Sequence, residues 1–252
     1  MASSTKLDLN ADLGESWYGT GRGDDAGLMP YLDSCNIACG FHGGDTLTIQ
    51  RTIDLALKHG VKIGAHPSFA DRQHFGRRAL NVPLPRLISQ ISYQIAAVKG
   101  MVEAAGGILH HVKAHGALYH YLATESPDGA VDHFLDLVYR TGVGRVYGPP
   151  GGHLESCALR HNVLLVREGF ADRQYELRDG SPTLRSRQAT GAVLEGTEQV
   201  VRQVASLCAG KIPLADGEIF NREFDTVCLH GDHSGAVERA RAVRRYLDQL
   251  PD

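Results

Sequence analysis

The sequence predicts a single α/β domain over residues 1–252, built as a parallel (β/α) barrel. Two observations predict it. Strand and helix patterns alternate from end to end, which implies parallel pairing through helical crossovers. In addition, five short segments (7–15, 36–42, 61–66, 111–116 and 227–232) each run from apolar residues straight into polar, mostly ionisable side chains. Parallel strands ending at one face deliver the residues beyond them into one shared pocket, where a barrel keeps its active site.

The elements follow in order. Residues 6–10 read as the first strand and 34–39 as the second. Asp45 then opens a helix with Leu47, Ile53 and Leu57 on an apolar stripe. His59-Gly60 closes it, because glycine supplies the left-handed residue past the last turn. Strand three is 61–65. A long helix over 84–105 carries Leu87, Ile91, Ile95, Val98 and Val102 at helical spacing and stops at Gly106-Gly107. Strand four is 108–113, followed by a helix over 128–139 and a short strand at 145–147. The sixth strand, 163–166, runs into the polar segment 167–173. After a helix near 196–208, residues 226–229 make the seventh strand. The final helix is expected to be capped by Ser234, with Val237, Ala240, Val243 and Leu247 buried. Two stretches, 14–32 and 175–190, read as long loops, which in a compact domain serve as lids or binding loops.

Bulk properties narrow the function. A length of 252 residues suits one barrel, and 42% hydrophobic residues suffice for its core. The net charge of −3 and the lack of a Lys/Arg stripe exclude a basic nucleic-acid surface. No apolar run approaches the roughly 20 residues of a membrane-spanning helix, and the polar N-terminus has no signal-like apolar stretch. Five cysteines, an odd number without framework spacing, fit a reducing compartment. The expectation is a soluble, cytoplasmic protein with no nucleic-acid or membrane partner.

Asp8, Asn10 and Asp12 share one face of the first strand because the side-chain period is two, with Glu15 just beyond. Polar groups facing a barrel interior are costly unless paired or bound to something. The bland alternative makes 12–15 a solvated turn. His42, His66, His115 and His230 each sit at or just past a strand end. Imidazoles with carboxylates suit zinc or another divalent ion, and equally a metal-free acid–base site. Lys113, at the end of strand four, either has a lowered pKa, grips an anionic oxygen or extends to solvent. Arg77, Arg173 and Arg187 are loop forks suited to carboxylate or phosphate. No P-loop occurs, and Gly21–Ala26 matches a dinucleotide fingerprint only by letter, since no strand precedes it.

Segments 7–16, 36–45, 63–69, 75–78, 112–119, 168–175 and 229–232 together resemble the LamB/YcsF family along nearly the whole chain. The resemblance implies a seven-stranded barrel of the glycoside hydrolase/deacetylase type. It also implies opening of the 5-oxoproline lactam to L-glutamate, driven by ATP with magnesium, alongside 5-oxoprolinase subunits B and C. Matching motif positions put Asp12, Glu15, Lys113 and His115 forward as catalytic. Asp8, Asn10, Arg77, Asp172, Arg173 and Asp232 stand as substrate-binding; should a divalent metal bind, His42, His66, His115 and His230 are its candidate ligands. Ala114, His120 and Ser186 depart from the family pattern, which leaves the substrate open. A stand-alone metal-dependent deacetylase or amidohydrolase is the alternative.

Overall fold

The computed structural model describes residues 7–124 and 129–251. Its elements are β1 (Asp8–Leu13), α1 (Asp25–Leu28), β2 (Ser34–Ala38), α2 (Thr46–His59), β3 (Lys62–His66), α3 (Leu84–Ala104), β4 (Leu109–Lys113) and α4 (Gly116–Ala123). Then come α5 (Ala130–Arg140), β5 (Arg145–Gly148), α6 (His153–Arg160), β6 (Leu164–Phe170), β7 (Tyr175–Arg178) and β8 (Ser181–Leu184). The chain finishes with α7 (Thr197–Cys208), β9 (Lys211–Pro213), β10 (Ile219–Asn221), β11 (Thr226–Cys228) and α8 (Ala236–Leu247). Strands β1 to β6 and β11 close into one parallel barrel, with β1 paired to both β2 and β11. The expected seven-stranded barrel is the fold.

Alternation along the strands divides two environments. Leu9, Ala11 and Leu13 of β1, with Ile37, Val112, Val146 and Val227, belong to the buried apolar core. The intervening residues carry a polar interior: Asp8, Asn10, Asp12, Ser34, Asn36, His111, Lys113, Glu168 and Thr226 hydrogen-bond with one another. Branched aliphatics usually fill a barrel of this kind. Here hydrogen bonds offset the desolvation of the groups that replace them.

Several boundaries differ from expectation. β1 runs to Leu13, so Asp12 stands on the strand and 12–15 is not a solvated turn; the expected start at Lys6 lies outside the described residues, as does the helix start at Asp128. β6 continues through Arg167 and Glu168 to Phe170, because Glu168 faces the polar interior while Arg167 pairs outward with Asp225 and Glu223. The loop expected at 175–190 contains the β7–β8 hairpin, and 14–32 contains α1. Asp45 caps α2 as expected, accepting from the Leu47 and Thr48 amides, but Leu47 and Leu57 are exposed. The buried face of α2 is instead Ile49, Thr52, Ile53 and Ala56. The α3 stripe is buried throughout. Helix α8 starts after Gly235 without a side-chain cap, so Ser234 does not cap it.

Candidate active site

The carboxyl ends of the barrel strands open into a cavity of about 730 Å³. Asp12, Glu15, His66, Lys113, His115 and His230 all line it, brought together from separate strand ends. At its floor, Lys113 Nζ donates to Asp12 Oδ1 at 2.9 Å and forms an ion pair with Glu168 Oε1 at 2.8 Å. Cys228 Sγ lies 3.2 Å from the same nitrogen. Burial opposes the charge on Lys113, but Asp12 and Glu168 together hold its pKa well above the usual range. The lowered pKa weighed for this lysine is therefore not what the site provides. Burial likewise raises Asp12, yet the charges of His66 and Lys113 outweigh it and keep the carboxyl well below its ordinary range. Asn36 Nδ2 adds a hydrogen bond of 2.9 Å to Asp12 Oδ1.

A second group stands beside this floor. Glu15, His42, His66 and His115 are all buried, and their donor atoms lie close enough together to hold a metal ion. His66 Nδ1 lies 2.7 Å from the Lys113 carbonyl, and His115 Nε2 lies 2.9 Å from the Phe75 carbonyl. His42 stacks on His115 with ring centroids 3.7 Å apart and planes 3° from parallel. Its Nε2 reaches Glu15 Oε1 at 3.3 Å. Burial, followed by the charge of Asp12, pushes Glu15 up to about 8, while burial holds His42 and His115 well below the usual imidazole range. Phe75 adopts a left-handed backbone, φ 56°, uncommon for a bulky residue, and its carbonyl is the one that meets His115. Gly76, also at positive φ, leaves room for that ring: a Cβ there would sit 2.9 Å from His115 Cδ2.

The four imidazoles expected around one ion divide. His230 Nδ1 pairs with Asp172 Oδ1 at 2.9 Å, and His230 groups instead with Asp12 and Cys228. Asp8 and Asn10 share the inward face, but neither lines the cavity. Asp8 accepts from Ser34 and Thr226 in the barrel interior, and Asn10 bridges Glu168, Thr226 and Asn36. Arg77 lines the cavity rim and pairs with Asp232 at 3.1 Å. Arg173 is buried and donates to the carbonyls of Ala192 and Arg185, so part of its fork anchors the loop after β8. Arg187 also faces the cavity. Glu168, Asn36 and Tyr119 belong to this constellation but carried no signal beyond strand alternation or a helix face.

Fold and site together define a seven-stranded parallel (β/α) barrel with an acid–base constellation at the carboxyl-terminal mouth of its strands. The chain belongs to the LamB/YcsF family, whose model matches residues 7–250. It is 41% identical over 247 residues to the 5-oxoprolinase A subunit of Bacillus cereus (strain Q1), covering 97% of this chain and 96% of that one. Identity is 42% over 250 residues to the 5-oxoprolinase A subunit of Heliobacterium modesticaldum, covering 96% and 94%. Among solved structures, the lactam utilization protein from Thermus thermophilus superposes with a TM-score of 0.87 at 36% identity, over 97% of each chain.

Proposed function

We propose that this chain opens the lactam of 5-oxo-L-proline to L-glutamate as the A subunit of an ATP-dependent 5-oxoprolinase, with subunits B and C as partners and magnesium-bound ATP as co-substrate. The observation that carries the reading is Asp12, kept ionised at the cavity floor between Lys113 and His66. The family and the names of the relatives supply the substrate class.

A five-membered lactam is a stabilised amide, so its opening draws on ATP. Transfer of the γ-phosphoryl group to the lactam oxygen activates the ring carbon. Water then adds to that carbon while Asp12 takes its proton as general base. The ring nitrogen departs carrying a proton, and a second water hydrolyses the resulting acyl phosphate to glutamate and phosphate. Lys113, permanently charged, steadies the oxyanion. Arg77, Arg173 and Asp232, which line the cavity, hold the substrate's polar groups, and Asp172 orients His230 through their 2.9 Å pair. The Glu15, His42, His66 and His115 group has the donors for a divalent ion, which when bound polarises an oxygen or lowers the pKa of water.

No helix among the described residues is long and apolar enough to cross a membrane. With five free cysteines, this supports the reading of a cytoplasmic enzyme. Mixing the chain with candidate B and C subunits and following glutamate release from 5-oxoproline tests the proposal. Release that requires ATP and all three subunits is expected; none under those conditions would remove it. The buried carboxylate–imidazole group favours a second reading, a stand-alone metal-dependent amidohydrolase. Chelator-sensitive turnover of a small amide by this chain alone, without ATP, would select that one.

A further inference from the structure

We propose that Glu15, His66 and His115 are the protein ligands of one divalent transition-metal ion, with its fourth position open to the cavity. His42 stands outside that ligand set as a supporting residue. The proposal concerns metal binding by the chain alone and does not depend on the lactam reading.

The first argument is where the hydrogens lie. A carbonyl oxygen only accepts, so the Lys113 carbonyl fixes a hydrogen on His66 Nδ1, and the Phe75 carbonyl fixes one on His115 Nε2. In neutral rings the remaining nitrogens, His66 Nε2 and His115 Nδ1, are both bare, and they face each other at 3.0 Å. Asp12 Oδ2 stands 3.2 Å from that same His66 nitrogen, and Glu15 Oε1 stands 3.7 Å from that same His115 nitrogen. With both rings neutral and both carboxylates ionised, four electron-rich atoms would converge here with no hydrogen between them. Only a cation or a shared proton relieves this. Imidazoles that bind metals characteristically give their other N–H to a backbone carbonyl or carboxylate, and both rings do so here.

The second argument separates His42 from the ligands. Its ring lies parallel to His115 at 3.7 Å. A ligand imidazole directs its lone pair in the ring plane, at a metal–nitrogen distance of about 2.0–2.1 Å. An ion in the plane of His115 therefore lies out of the plane of His42 by nearly the whole stacking distance, beyond bonding reach. His42 instead directs Nε2 at Glu15 Oε1 and orients that carboxylate. The lining agrees: Glu15, His66 and His115 face the cavity, and His42 does not. Two imidazoles, one carboxylate and one open position form the donor set of catalytic zinc sites, and nitrogen donors disfavour magnesium.

The test uses the metal-stripped chain alone, loaded with cobalt(II) chloride or zinc chloride and desalted. Metal content and the cobalt visible absorption band are the readouts, and near-UV circular dichroism verifies folding. One ion per chain is expected. Glu15→Gln and His66→Gln should lose the ion or change the cobalt band. His42→Phe keeps the stacked ring, and it should retain one ion with an unaltered band while affinity falls about 10- to 100-fold. A wild-type chain that retains neither metal would overturn the proposal and assign a shared proton to the His66–His115 contact. A His42→Phe variant whose band changes as in His66→Gln would overturn the ligand set.

Discussion

Glu168 on β6 holds the ammonium of Lys113 on β4 at 2.8 Å beneath the cavity, where neither residue is more than 2% exposed. This contact crosses the barrel interior and, with Asp12 on the other side, places one buried cation between two buried anions. Replacing Lys113 with Met leaves both carboxylates uncompensated, and breaking such a pair costs about 3–5 kcal/mol. Urea unfolding of Lys113→Met should show a loss of that order. A midpoint within error of wild type would mean that the interior rearranges to hydrate the anions.

Asp12→Asn keeps the shape of the side chain and removes the base. Glutamate release in the assembled system should fall by about 10²- to 10⁴-fold. Far-UV circular dichroism should remain unchanged. Turnover within a few-fold of wild type would take Asp12 out of the chemistry.

His111 is buried, stacked on Tyr147 at 3.8 Å and 2.7 Å from Asn36 Oδ1. Burial, followed by the neighbouring charges, holds its folded pKa well below the ordinary 6.5. The unfolded chain therefore binds a proton there that the folded chain refuses. The neutral imidazole's contribution to stability is complete above about pH 6.5 and shrinks as pH falls below it. Urea midpoints measured from pH 7.5 to pH 5 should decline less steeply in His111→Asn than in wild type. Parallel slopes would contradict the assignment.

Gly64 on β3 is where the barrel admits that ring. A Cβ at this position would lie 2.1 Å from His111 Nε2. Gly64→Ala should destabilise by about 1–3 kcal/mol, as overpacking does, and thermal unfolding measures it. An unchanged midpoint would show that His111 has room to turn aside.

The barrel was legible because strand and helix patterns alternate, and α3 was legible because all five residues of its stripe are buried. Failures cluster where polar residues are structural. Arg167-Glu168 reads as a loop in one dimension, yet Glu168 lies inside a polar barrel and extends β6. α4 and α6 are eight residues each and too short to show a period. In α2, Leu47 and Leu57 followed helical spacing on the wrong side, while Thr52 took a buried place by donating to Asp25. Within the site, the shared face of Asp8 and Asp12 could be read, but their depth could not. Four residues of strand separate them by about 13 Å, so only Asp12 reaches the cavity. Nor does spacing reveal ring orientation, which here stacks His42 on His115 and turns His230 to Asp172.

The hydrogen-bonded interior has an evolutionary consequence. From Asp8 through Thr226 to Asn10, and on through Asn36 to Asp12 and Lys113, each side chain hydrogen-bonds the next. A lone change at any rung strands its neighbours, so new chemistry at the top of this barrel would have to arrive through compensated, multi-residue exchanges or through the rim loops.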